Sequence, residues 1–140
     1  MTLETLYKNT IRLSKKDIAI KGRAAYIDLK NELISEGIPE EEVATFISEL
    51  VAAFVGVDRW SDHKEHRLFK SVFDTDIEFG KFWQFAQTGE NEAATKKAIA
   101  QIKGLPASSR SLAATLALCF IAVDGEISEA EHKLLEGIIE

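Results

Sequence analysis

With one cysteine, two prolines and no surplus of positive charge, this 140-residue chain excludes several classes of protein at once. A lone Cys119 rules out an internal disulfide, and its place inside an apolar run makes it a small core residue rather than a reactive thiol. So few prolines, and no low-complexity stretch, leave no linker, so a single domain over 1–140 is expected. A net charge of −6 argues against the broad basic footprint that nucleic acid or an anionic membrane requires. The longest nearly apolar stretch, Leu112 to Val123, falls short of the roughly 20 residues that span a bilayer and reads as a buried helix. The opening MTLETLYKNTIRL lacks the continuous apolar region of a secretory signal, so the expectation is a cytoplasmic chain with no direct membrane insertion. Nucleophile elbow, phosphate loop, dinucleotide fingerprint and zinc-ribbon spacing are all missing, and an enzyme is not expected.

What the chain does have is repetition. Residues Phe54 to Phe73 read FVGVDRWSDHKEHRLFKSVF and residues Phe120 to Ile139 read FIAVDGEISEAEHKLLEGII; they align without a gap, with six identities in 20 positions. Ordinary composition gives about one identity by chance. Leu105-Pro106 matches Ile38-Pro39 upstream, with a one-residue difference in length, so the repeat halves run approximately 39–73 and 106–140. Each half reads as a long apolar helix, an acidic loop and a shorter helix.

Helical periodicity extends over nearly the whole chain, with no strand alternation. A short helix is expected within Met1 to Leu13. Ser14-Lys15-Lys16-Asp17 resembles a capping box with Asp in place of Glu, opening a helix to about Glu36, where Gly37 supplies the stop. Pro39 stands at a favourable first helical position before Glu40, Glu41 and Glu42, which suit the positive end of a helix. Between the halves, Thr75–Gln87 and Asn91–Lys103 read as amphipathic helices with a turn near Gly89, and Phe79, Phe82, Trp83 and Phe85 read as core packing. The fold class is therefore all-α: a single-domain bundle of about six or seven helices with two related helix-loop-helix hairpins at its centre.

The chemistry, if any, lies in the acidic loops. Asp62-x-x-Glu65 and Ser128-x-x-Glu131 are both explained as caps of the helices that follow. Asp58 and Asp124 are not, because each puts a negative charge near the negative end of an apolar helix at a cost of about 0.3–1 kcal/mol. A turn hydrogen bond or a bound cation would offset that cost. Asp124, Glu126, Glu129 and Glu131 supply only oxygen ligands, which suit Ca²⁺ or Mg²⁺, although one loop alone leaves coordination positions for water or the second loop. His63 and His66, three apart, are read as solvated or helix-surface histidines in preference to transition-metal ligands. Asp74-x-Asp76-x-Glu78 is no EF-hand, since Phe79 replaces the turn glycine and Phe85 the bidentate glutamate.

The run Ala122-Val123-Asp124-Gly125-Glu126-Ile127-Ser128-Glu129-Ala130-Glu131, followed by Leu134-Leu135, resembles the signature of the TerB-like family, the group of tellurite-resistance and DjlA N-terminal domains. The resemblance covers most of the chain and implies an all-helical domain with two related halves. It also implies a bacterial, cytoplasmic module of the tellurite and stress response that binds a divalent cation; separately, other proteins are the expected partners. Carried over by position, it nominates Asp124, Glu126 and Glu131, with Asp58 and Glu65 in the first half. The first loop departs from the pattern: Arg59 replaces Gly, and Trp60-Ser61 replaces the acidic-apolar pair. The alternative is a non-catalytic interaction or scaffolding domain whose acidic loops are only caps and turns. That alternative expects an exposed apolar patch.

Overall fold

A computed structural model describes residues 3–56, 63–87, 92–123 and 136, and the architecture refers to these. They form an all-α bundle without strands: α1 (Leu3–Ile11), α2 (Lys15–Ser35), α3 (Glu40–Gly56), α4 (His63–Phe73), α5 (Phe79–Gln87), α6 (Glu92–Lys103) and α7 (Ala107–Ala122). Within the described residues no helix is long and apolar enough to cross a membrane. The turn expected near Gly89 and nearly all of the helix expected after Ser128 lie outside the described residues.

The start and stop signals of α2 act as their chemistry requires. Ser14 is the N-cap, its Oγ accepting from the Asp17 backbone N–H at 3.1 Å. At the other end Gly37 takes φ +95°, and the N–H groups of Gly37 and Ile38 donate to the carbonyls of Ile34 and Leu33 at 3.0 and 3.3 Å. This is a Schellman closure, which needs a residue that tolerates positive φ. Pro39 and Pro106 each sit one residue earlier than expected, as the residue before the helix proper, with their carbonyls accepting the first helical bonds from Val43 and Arg110 at 3.0 Å.

Helix α7 is the axis of the molecule. From Ala113 to Val123 every residue but Thr115 is buried, as expected for a helix that is apolar on all sides. It packs most extensively on α2 and also touches α1, α3, α4 and α6. Gly22 is what brings α2 so close: a Cβ there would stand 3.0 Å from Val72 Cγ2 and 3.5 Å from Cys119 Cβ. The first-half counterpart α3 is different. Val43, Ile47, Leu50, Val51 and Ala52 are buried, but Glu41, Glu42, Thr45 and Glu49 are exposed, so its first turns are two-faced.

Two polar ties fix α2 to its neighbours. Arg23 Nη1 donates to the carbonyls of Val72 and Ser71 at 3.2 and 3.4 Å, placing a cation at the negative end of α4. Glu32 Oε1 accepts from Ser108 Oγ at 2.5 Å and from Ser109 Oγ at 3.3 Å, placing a carboxylate at the positive end of α7.

The helix expected from Thr75 begins only at Phe79. The reason is Asp74, which adopts φ +51° and lets the Thr75 N–H close α4 on the Lys70 carbonyl at 3.1 Å. Asp is one of the few side chains that enters this region readily. Within the aromatic cluster, Phe82 is fully buried, and Phe69 stacks around it with ring centroids 5.3 Å from Phe82, 4.5 Å from Phe73 and 5.2 Å from Phe85. Trp83 departs from the expected core role: it is 45% exposed.

Candidate functional site

Of the acidic residues nominated as ligands, Asp58, Asp124, Glu126 and Glu131 lie outside the described residues, as do Asp62, Ser128, Glu129 and His132. Glu65 is described. It is the third residue of α4, where a capping-box acid belongs, and is only 3% exposed. Within the described residues no group of three or more His, Cys, Asp and Glu side chains could hold a metal.

His66 corrects the surface reading. It is buried, its Nε2 lies 2.6 Å from the Ile77 carbonyl, and its ring meets Phe79 and Phe82 at centroid distances of 5.5 and 5.3 Å. A carbonyl only accepts, so Nε2 carries the proton and donates. That nitrogen is therefore committed to holding the 74–78 segment against α4, not to a metal. Cys119 is inert in the same sense. Burial pushes its thiol from 9.0 up to about 12, with Lys21 pulling the other way.

The feature without a structural explanation is the outer face of α2. Ile20, Ile27 and Ile34 are 58%, 40% and 38% exposed, and with the exposed Ala24 and Asn31 they form one row spaced alternately by four and three residues. Such spacing keeps side chains in line along a helix and is the seam of a coiled coil. The row lies directly opposite the buried Ile18, Gly22, Ala25, Leu29 and Leu33. At about 1.5 Å per residue, the row from Ile20 to Ile34 makes a seam roughly 21 Å long on this 21-residue helix. Isolated exposed apolar residues are ordinary, but an aligned row of three branched ones on one helix face is not.

Charge is unevenly placed along this face. The N-terminal half of α2 carries Lys15, Lys16, Lys21 and Arg23 against Asp17, and the C-terminal half carries Asp28 and Glu32 against Lys30, with Glu36 just beyond. Beside Ile20 a hollow of about 440 Å³ has Leu68, Ala19 and Val123 as its floor and Lys15, Lys16, Lys64 and Arg67 around it. At the other end a hollow of about 520 Å³ is formed by Asp28, Asn31, Glu32, Ser108, Ser111 and Leu112. Lys30 is drawn aside to Glu40 at 3.4 Å, and Arg23 to the end of α4.

The sequence reading missed this row although the signal was present. Isoleucine recurs every seven residues at positions 20, 27 and 34, on the side of the helix where charges belong. Apolar residues on two opposite faces cancel each other in any search for a single apolar stripe.

Comparison with known proteins adds no relative: no family model, curated protein or solved structure matches the chain.

Proposed function

We propose that this chain is a non-catalytic helical interaction module, the alternative to the cation-binding role that the TerB-like resemblance implies, and that it docks through the outer face of α2. One observation carries the reading: Ile20, Ile27 and Ile34 stand exposed in a single coiled-coil row on a helix whose opposite face is already fully packed. The core does not use these side chains, and their exposure to water is unfavourable at about 25 cal/mol per Å² of apolar surface. A partner helix would cover them. The test is in-cell photo-crosslinking from position 27, with a polar control at exposed Lys103. Discrete adducts from 27 and none from 103 are expected; equal yields, or none at either position, would refute docking on this face.

A divalent-cation role is a second reading, resting on the residues Asp58, Glu65, Asp124, Glu126 and Glu131. Of these, Glu65 lies among the described residues, buried at the third position of α4. Titration calorimetry with Ca²⁺, Mg²⁺, Mn²⁺ and Zn²⁺ decides it: saturable heat that disappears in Asp124→Ala supports the cation, and no saturable heat removes it. A cytoplasmic stress-response setting belongs to the same proposal.

A further inference from the structure

We infer that the outer face of α2 pairs antiparallel with the same face of a second copy of this chain, making a two-fold dimer; this rests on the docking role proposed for that face. Three observations favour a second copy as the occupant.

The first is spacing. Ile20, Ala24, Ile27, Asn31 and Ile34 follow the four-three alternation that lets two helices interlock along their length, and the row covers the last two-thirds of α2, with Asp17 the next position back. With the two-fold axis near the middle of the helix, Ile27 of each copy meets Ala24 of the other. A large residue then faces a small one, which brings the helices close.

The second is charge. An antiparallel pair sets the basic half of one α2 against the acidic half of the other. Beside the row, Lys21 of one copy faces Asp28 of the other, and the symmetry makes that contact twice. A parallel pair would instead gather Lys15, Lys16, Lys21, Lys64 and Arg67 of both copies at one end. Opposite signs facing one another select the orientation more than they add affinity.

The third is what the remaining cations are already doing. The antiparallel arrangement brings Arg23 near Lys30 of the other copy, which would oppose pairing if both were free. Lys30 is offset by Glu40 at 3.4 Å within its own chain, and Arg23, which keeps its charge, is drawn towards the Val72 carbonyl at 3.2 Å. Asn31 is the one polar member of the row; in this register it faces Ile20 of the other copy near the end of the seam, at some cost in stability. Because the same patch is used by both copies, the contact closes on itself and the assembly stops at two.

Sedimentation velocity across a range of concentrations tests the inference, with circular dichroism confirming that each variant folds. The wild type is expected to dimerise reversibly, and Ile27→Asp to raise the dissociation constant at least about tenfold, as loss of a central anchor does. Lys21→Glu and Asp28→Lys are each expected to weaken the dimer, and an equimolar mixture of these two variants to recover it, because each then offers the other an opposite charge at both contacts. A wild type that stays monomeric at every concentration overturns the inference, and so does a mixture that fails to recover. If the wild type is monomeric while position 27 still crosslinks a different protein in cells, the docking role stands and self-pairing falls. If position 27 yields no adduct at all, both fall.

Discussion

The two faces of α2 are nearly equal in apolar character and opposite in fate. One side, through Ile18, Gly22, Ala25, Leu29 and Leu33, is sealed against α7, α4 and α3; the other, through Ile20, Ala24, Ile27 and Ile34, meets water. Hydrophobicity alone therefore does not decide which side enters the core. The inner side has a glycine where α4 and α7 come closest, and it is bracketed by Arg23 reaching α4 and Glu32 reaching α7. The outer side has neither notch nor ties. An apolar face left over after the core is complete is available for work between molecules.

Substitutions can break this contrast in order of size. Leu29→Ala on the inner face is expected to cost about 2–5 kcal/mol, because Leu29 is fully buried and the surrounding helices collapse only partly into the space. Urea unfolding gives the value, and a loss near zero would mean that α2 is not held as described. Gly22→Leu is expected to cost about 1–3 kcal/mol by forcing α2 away from Val72 and Cys119. A rise in melting temperature would contradict the close approach.

The thiol beneath Gly22 gives the contrast a pH dependence. Cys119 is held near 12 in the fold against 9.0 when free, so the unfolded chain releases its proton first as pH rises. Its contribution is fully present below pH 9.0 and is lost as pH climbs through the window up to about 12. Unfolding followed at pH 8 and pH 10, about a unit either side of the free thiol's ordinary range, should show a fall in stability that Cys119→Ala reduces. An identical fall in the variant would assign the effect elsewhere. Smallest of all, Ile27→Asp on the outer face should change the stability of the isolated chain by no more than about 0.5 kcal/mol, measured at low concentration. A loss comparable to that of Leu29→Ala would erase the distinction between the faces.

Much of the fold was legible because its signals are local. Ser14 as a cap, Gly37 as a stop and the all-round apolar run of α7 each act within a few residues, and each is where the sequence put it. The all-α class and the single buried Cys119 followed from the same reasoning. What failed to show was decided at a distance or by an unusual backbone. His66 looked like a surface residue because nothing in its own helix reveals the Ile77 carbonyl eleven residues on. Asp74 drew notice only as the first position of a rejected EF-hand, whereas its left-handed conformation ends α4 and delays α5 from the expected Thr75 to Phe79. The candidate site was legible least of all: four of the five nominated carboxylates fall outside the described residues, and the row on α2 was hidden by its own symmetry.

That symmetry sets a problem for the chain while it folds. Turned half-way about its axis, α2 would offer α7 a second apolar row of the same length, and collapse driven by apolar surface alone would accept either. Two residues separate the outcomes. Gly22 opens a gap on the correct side that Val72 and Cys119 fill, and Asn31 would carry an amide into the interior on the wrong one. A single missing side chain and a single polar one thus act as a key, allowing the helix to seat in only one orientation.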